Sequence, residues 1–149
     1  MNATQTLRRV GVIGDPHAED NRLDAAIRFL QSQSVDALLC TGDIVTGAGD
    51  ANRCCHLLME NGVATVRGNH DRWFFTSGYA EMFADSTPPD SMDARARAFL
   101  QTLPPTRDFP TVRGTMQLMH GTGDDDMRAV YPGDARWVLE ANPRLGRLY

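Results

Sequence analysis

Four short apolar runs recur along the chain, and each has the length and the β-branched or aliphatic content of a buried strand. They read VGVIG, ALLCT, VATVR and TMQLM. The first three predict strands over about residues 8–13, 36–40 and 63–66. Each run is followed directly by a small polar cluster, so the pattern alternates between buried strands and exposed polar turns.

Two apolar stripes at helical spacing separate the first three runs and predict amphipathic helices. Asp20 or Asn21 is expected to cap the first helix, and Asn61-Gly62 is a C-terminal signal for the second. Strand, helix, strand, helix, strand is the order of a parallel α/β sheet. The stripes consist of Leu23, Ala26, Ile27 and Leu30, and of Ala51, Cys54, Cys55 and Leu58.

The second half of the chain is less regular. A further amphipathic stripe from Met92 to Leu103 ends at Pro104-Pro105, as expected for a helix stopped by proline. Residues 111–113 and 115–119 predict two strands joined by a tight turn at Arg113-Gly114, and therefore a second sheet. A last helix is predicted to begin at Asp134.

The polar clusters that follow the runs contain the candidate chemistry. In an open α/β sheet, ligands bind beyond the carboxyl ends of the strands, so these clusters should meet at one rim. Carboxylates, an Asn amide and imidazoles are hard or borderline donors that suit divalent transition metals. The clusters are Asp15-Pro16-His17, Gly42-Asp43, Gly68-Asn69-His70-Asp71 and His120-Gly121.

Each cluster taken alone has an ordinary explanation. Asp is common in turns and helix caps, and a single His is more often a plain polar residue than a ligand. However, all four clusters directly follow predicted strands, and such a joint placement is improbable by chance. His56 lies within a helix away from this rim and is expected to be structural.

Composition narrows the class of protein. A chain of 149 residues with 42% hydrophobic and 23% charged residues is typical of one soluble globular domain, here residues 1–149. The net charge of -4 argues against a protein that coats nucleic acid, although a phosphodiester substrate stays possible. No apolar stretch suits a membrane span. Three cysteines without disulfide or zinc spacing favour reduced thiols and a cytoplasmic location, whereas the oligomeric state stays open.

In this order, the motifs D-P-H, G-D, G-N-H-D and H-G resemble those of the calcineurin-like metallophosphoesterase superfamily, in its small bacterial form. The resemblance spans about residues 8–123, and G-N-H-D is its most specific part. It implies an α/β fold, the metallophosphoesterase-like αββα sandwich. It also implies hydrolysis of phosphate monoesters or diesters by a metal-bound hydroxide at a dinuclear centre of two divalent ions, which would be Mn, Fe or Zn.

The resemblance also implies a role for each candidate residue. The first metal would take Asp15, His17 and Asp43, and the second would take Asp43, Asn69 and His120, with Asp43 bridging. Asp15 and His17 are two positions apart in a segment that we expect to be extended, so both side chains can point to one metal.

The histidine after the metal-binding Asn is not a ligand in this family but lies over the leaving-group oxygen. His70 is therefore the candidate general acid. Asp71 is the candidate carboxylate partner that would orient His70 and raise its pKa. For Arg72 a surface position is favoured over a phosphate contact, and Asp124-Asp125-Asp126 is expected to be a solvated acidic loop.

One family motif is absent from the sequence. Relatives carry a later G-H-x-H, yet no histidine follows His120. We therefore expect a fold that is incomplete at the C-terminus, with each metal short of one ligand. Two interpretations stay open: a truncated form of a competent phosphoesterase, which the ending after a helix favours, or a weakly active or inactive member that acts as a protein-interaction scaffold. Phosphoproteins, cyclic nucleotides, dinucleoside polyphosphates and simple phosphodiesters all stay open as substrates.

Overall fold

A parallel three-stranded sheet forms the first half of the structure. The computed structural model describes residues 6–123, 125–129 and 131, so the helix predicted from Asp134 lies outside the described residues. The sheet order is β1-β2-β3 and both pairings are parallel, as the alternation of strands and helices predicted. The elements are β1 (Val10–Ile13), α1 (Asp20–Ser32), β2 (Ala37–Cys40), α2 (Ala51–Glu60) and β3 (Ala64–Thr65).

The central strand β2 is buried on both faces, which explains its uninterrupted apolar sequence. Leu38 and Cys40 belong to the cluster formed with the helices, whereas Ala37 and Leu39 belong to a second cluster on the opposite face. This alternation follows from the two-residue period of a strand. One short run of apolar residues therefore joins two layers of the fold.

The second half supplies short helices and a hairpin. The hairpin is antiparallel, with Thr106 opposite Met119 and Thr111 opposite Gly114, and its Phe109 and Leu118 pack on the second face of the parallel sheet. The elements are α3 (Asn69–Trp73), α4 (Tyr79–Met82), a 3₁₀ turn (Pro89–Ser91), α5 (Ala94–Thr102), β4 (Thr106–Thr111) and β5 (Gly114–Met119).

These layers confirm the predicted α/β class: helices lie on one face of the parallel sheet and the hairpin lies on the other. Two boundaries were wrong. Strand β4 begins at Thr106 rather than near residue 111, because only Phe109 in it is buried and the strand lacks a clear apolar alternation. The N-cap of α1 is Glu19, which makes no capping hydrogen bond through its side chain. Within the described residues, no helix combines the length and apolarity needed to cross a membrane.

Candidate metal centre

The loops that leave the strands bring the predicted ligands together at one rim. The loops after β1 and β2 contain Asp15 and Asp43, Asn69 is the first residue of α3 just after β3, and His120 follows β5. Non-glycine residues with left-handed backbone are uncommon and cluster at functional loops. Three of the predicted ligands have this conformation: Asp15 at φ 42°, His17 at φ 43° and Asp43 at φ 54°.

Asp43 lies at the centre of the site and is only 5% exposed. Its Oδ1 accepts a hydrogen bond of 2.9 Å from the backbone N–H of His70. Its Oδ2 lies 3.8 Å from Nε2 of His17 and 3.5 Å from Nε2 of His120. One carboxylate oxygen is thus anchored to the backbone while the other faces two imidazoles, which is the arrangement expected of a bridging ligand.

His17 is held in the form that can bind a metal through Nε2. Its Nδ1 lies 3.0 Å from the backbone oxygen of Thr46 and 3.3 Å from that of Val45. A carbonyl oxygen only accepts hydrogen bonds, so Nδ1 must carry the proton. In the neutral ring, Nε2 is then left with its lone pair facing Asp43, and the carbonyl contact fixes the ring orientation.

His120 is held in the same way and also approaches Asp43 through Nε2. Its Nδ1 donates to the backbone oxygen of Thr41 at 3.0 Å, so the lone pair of the neutral ring is again on Nε2. That Nε2 lies 2.9 Å from Oδ1 of Asn69. His120 and Asn69 therefore direct two acceptor atoms at the same small volume.

The donor set fits a divalent cation. In their neutral rings the Nε2 atoms of His17 and His120 are acceptors, and they face a carboxylate oxygen and an amide oxygen that are acceptors as well. Two groups of residues each bring their potential ligand atoms within 4.8 Å of one another. One group is Asp15, Asp43 and His120, and the other is His17, Asp43 and His70. A cation between them would satisfy acceptors that otherwise repel one another, and oxygen with imidazole nitrogen suits manganese, iron or zinc.

The structure groups Asp15 differently from the sequence-based expectation. Asp15 Oδ1 lies 3.6 Å from Nδ1 of His120, and Asp15 is grouped with His120 and Asp43 rather than with His17. The expectation assumed an extended segment, in which residues two apart point the same way. Left-handed backbone at both Asp15 and His17 breaks that alternation and turns the two side chains toward different parts of the site.

The predicted pairing of His70 with Asp71 is not formed. His70 and Asp71 are consecutive residues of α3, and side chains one position apart on a helix do not face each other. The Nδ1 atom of His70 instead contacts the hydroxyl of Thr46 at 2.9 Å. Burial lowers the pKa of His70 below its ordinary value, although the charge of Asp43 acts in the opposite direction. The Asp71 contact on which the expected rise in the pKa of His70 depended is therefore absent.

Asp71 connects two loops of the site to each other. Its side chain is fully buried, and its oxygens accept backbone hydrogen bonds from Asp43 at 2.9 Å, Ile44 at 2.8 Å and Gly68 at 3.0 Å. Burial raises the pKa of Asp71 to about 6, and the backbone N–H groups of Gly68 and Ile44 oppose that rise. Asp71 thus holds the backbone of Asp43 and Ile44 in place and so positions the Asp43 side chain.

Arg72 and Asp126 connect the loop after His120 to helix α3. The guanidinium of Arg72 donates from Nε to Oδ2 at 2.7 Å and from its NH2 group to Oδ1 at 2.8 Å. This bond raises the pKa of Arg72 and lowers that of Asp126. The paired geometry gives both residues a structural role, so Asp126 is not a merely solvated charge and Arg72 is not a free surface residue.

Sequence reasoning missed two residues near His70. Thr46 contacts His17 through its backbone oxygen and His70 through its hydroxyl, and its hydroxyl also contacts that of Tyr79 at 2.5 Å. Thr46 has φ 71°, which is unusual for a β-branched residue. The available signal was weak: a hydroxyl side chain in the loop after Asp43, directly before Gly47.

Comparison with known proteins gives consistent findings. A family model described as calcineurin-like phosphoesterase matches residues 8–139. The uncharacterized protein MJ0912 of Methanocaldococcus jannaschii is 31% identical over 62 residues, which are 42% of this chain and 26% of that protein.

Two solved structures are also similar. A protein described as a putative diadenosine tetraphosphatase has a TM-score of 0.52 and 26% identity, over 70% of this chain and 46% of its own. A metallophosphoesterase from Sphaerobacter thermophilus has a TM-score of 0.51 and 26% identity, over 67% of this chain and 42% of its own. The chain thus spans less than half the length of each of these relatives.

Proposed function

Because the chain belongs to the calcineurin-like phosphoesterase family, we propose that it hydrolyses phosphate esters with the help of two divalent cations. The observation that carries the proposal is the convergence of acceptor atoms around Oδ2 of Asp43, with the Nε2 atoms of His17 and His120 at 3.8 and 3.5 Å. Both solved relatives are 26% identical to the chain, and their descriptions, a putative diadenosine tetraphosphatase and a metallophosphoesterase, both name phosphate-ester or phosphoanhydride hydrolysis. These descriptions support the reaction class.

The ligands that we propose are the five predicted from sequence, with Asp43 shared between the two ions. Asp15 and His120 form one group with Asp43, Asn69 contacts His120, and His17 belongs to the other group around Asp43. When bound, the cations would lower the pKa of a water molecule and offset the charge of the phosphate. The contribution of the chain is to hold Nδ1–H of both imidazoles on backbone carbonyls, so that each Nε2 is kept ready to bind.

His70 is proposed to act on the leaving group. Its ring centroid lies 5.0 Å from that of His17, so a phosphate bound between Asp43 and His17 would come close to it. Trp73 and Phe83 contact the ring at centroid distances of 5.1 and 4.7 Å and cover part of it. A hydrogen bond to the leaving oxygen would be strengthened where these rings displace water. The part proposed for Asp71 is to position Asp43, not to pair with His70.

Substrate and location also belong to the proposal. The similarity to a protein described as a putative diadenosine tetraphosphatase makes dinucleoside polyphosphates worth testing beside simple monoesters and diesters. All three cysteines are free and buried, and burial raises the pKa of Cys40 and of Cys54 to about 12. Inert thiols of this kind fit a reducing cytoplasm.

The test combines metal binding with hydrolysis. Manganese titration of the metal-free protein by calorimetry should show about two ions bound, and chromogenic phosphate mono- and diesters and diadenosine tetraphosphate should be hydrolysed only with metal present. Asp43→Asn should weaken metal binding and turnover by at least about 100-fold. The matched control is Asp90→Asn, an exposed carboxylate outside the site. A folded protein that binds no manganese, zinc or iron would contradict the proposal and favour a scaffold.

A further inference from the structure

A chain of two hydroxyl groups leads away from Nδ1 of His70. Thr46 is its central residue, and its hydroxyl lies 2.9 Å from Nδ1 of His70 and 2.5 Å from the hydroxyl of Tyr79. Tyr79 is 1% exposed, and burial raises the pKa of its hydroxyl, so the phenol keeps its proton. The Tyr79 end of this chain is therefore closed to solvent.

The direction of the chain follows from its two hydroxyl groups, because a phenol is a stronger donor and a weaker acceptor than an aliphatic alcohol. At the 2.5 Å contact the phenol proton of Tyr79 is therefore directed to the oxygen of Thr46. The oxygen of Thr46 then accepts from Tyr79, and its own proton is free to be donated to Nδ1 of His70. A neutral imidazole that accepts at Nδ1 carries its proton on Nε2.

We propose that Thr46 is a positioning residue that sorts the histidines of this site into two kinds. Through its backbone oxygen it holds His17 with the proton on Nδ1, which leaves Nε2 free to bind a metal ion. Through its hydroxyl it holds His70 in the opposite tautomer, with the proton on Nε2. His70 is then unable to bind a metal through Nε2 and presents a hydrogen-bond donor instead.

This assignment decides between two roles that the arrangement of ligand atoms leaves open. His70 lies with His17 and Asp43 in a group that could hold a metal ion. A ligand role for Nε2 needs the proton on Nδ1, as in His17 and His120, whereas a donor role toward the leaving oxygen needs it on Nε2. The donor role rests on the proposed phosphoesterase function, but the tautomer itself does not.

The tautomers are measurable without turnover. Long-range ¹H–¹⁵N spectra of the metal-free, ¹⁵N-labelled protein, at a pH at which imidazoles are neutral, report which ring nitrogen carries the proton. The chain contains 4 histidines, so the signals are assignable from single His→Gln variants. We expect the proton on Nδ1 in His17 and His120 and on Nε2 in His70. A proton on Nδ1 of His70 would overturn the assignment.

Variants of the chain locate the cause. Thr46→Val keeps the β-branched shape and the backbone oxygen but removes the hydroxyl, so the tautomer of His17 should stay while His70 loses its preference. Thr46→Ser should keep both tautomers. Tyr79→Phe should weaken the preference of His70 alone, and it keeps the test available if Thr46→Val does not fold. An unchanged His70 in both Thr46→Val and Tyr79→Phe would refute the proposal.

Kinetics then connect the tautomer to the proposed function. Thr46→Val should lower kcat by about 10-fold with little change in KM, because the donor acts on the leaving group and not on substrate binding. Thr46→Ser should restore most of kcat, which a merely structural role for the methyl group would not do. If the spectra agree but no phosphate ester is hydrolysed, the phosphoesterase function fails while the positioning role of Thr46 stands.

Discussion

Replacement of Asp71 separates its observed role from the role that the sequence suggested. In the structure its buried carboxylate accepts close hydrogen bonds from three backbone N–H groups, on Asp43, Ile44 and Gly68. Asp71→Ala would leave all three donors buried without a partner. Asp71→Asn would keep one oxygen acceptor, but its amide N–H₂ would replace the other oxygen and would face backbone N–H donors that it cannot accept from.

The size of the effect follows from two opposing contributions. A buried donor without a partner costs about 2 kcal/mol, so three of them cost about 6 kcal/mol. The loss of a buried charge offsets part of this: a pKa of about 6 rather than 3.8 corresponds to about 3 kcal/mol against the ionised form. We therefore expect Asp71→Ala to lower the free energy of unfolding by about 3 kcal/mol, and Asp71→Asn by about 1 kcal/mol.

Urea unfolding at pH 7, followed by tryptophan fluorescence, measures these differences, and calorimetry with manganese shows whether the loop that holds Asp43 is displaced. The Asp90→Asn variant, exposed and outside the site, should stay within about 0.5 kcal/mol of the parent. The reasoning is refuted if both Asp71 variants unfold like Asp90→Asn while turnover collapses. That result would mean that Asp71 acts on His70 and not on the backbone.

Three further predictions concern other contacts. A double-mutant cycle of Arg72→Gln and Asp126→Asn should give a coupling energy of about 1 kcal/mol in urea unfolding, because the pair is bidentate but the Arg72 side chain is 40% exposed; additive effects would contradict it. Gly68→Ala should cost about 2–3 kcal/mol in urea unfolding and weaken manganese binding, since its Cβ would lie 2.1 Å from Oδ1 of Asp43; parent-like stability would contradict it. Two backbone N–H groups hold the pKa of Asp36 below its ordinary value of 3.8. The ionised carboxylate therefore stabilises the fold fully above pH 3.8, and this stabilisation is lost as the pH falls through the lowered pKa. Thermal unfolding of Asp36→Asn should therefore approach that of the parent at low pH, and a constant difference at every pH would count against this.

Much of the fold was predictable because it depends on local periodicity. The stripes in α1 and α2 and the apolar runs in β1 and β2 each occur within a dozen residues, and strand–helix alternation limits the topology to a parallel sheet. Strand β4 was placed late because it lies on the surface, with Phe109 as its single buried residue. A strand that buries one side chain leaves little trace in an apolar pattern.

The sequence predicted which residues lie at the site better than it predicted which of them lie next to each other. Residues such as Asp43 and His120 could be identified because the carboxyl ends of strands meet at one rim. The grouping of Asp15 with His120 could not, because it depends on left-handed backbone that period-two reasoning excludes. The hydrogen-bond partner of His70 also could not be identified from sequence. Thr46 is 24 positions away from His70, whereas Asp71, the predicted partner, is the next residue.

The sequence by itself determined the α/β class, the family and the set of residues at the rim, because these depend on periodicity and on residue types that a chain carries wherever it folds. The tertiary structure decided which atom of each residue faces which. Backbone carbonyls from one loop set the protons of His17 and His120, and a threonine hydroxyl meets His70. Hydrogen bonds of this kind join residues far apart in sequence, and their direction depends on distances of a few ångströms that no pattern of residues records.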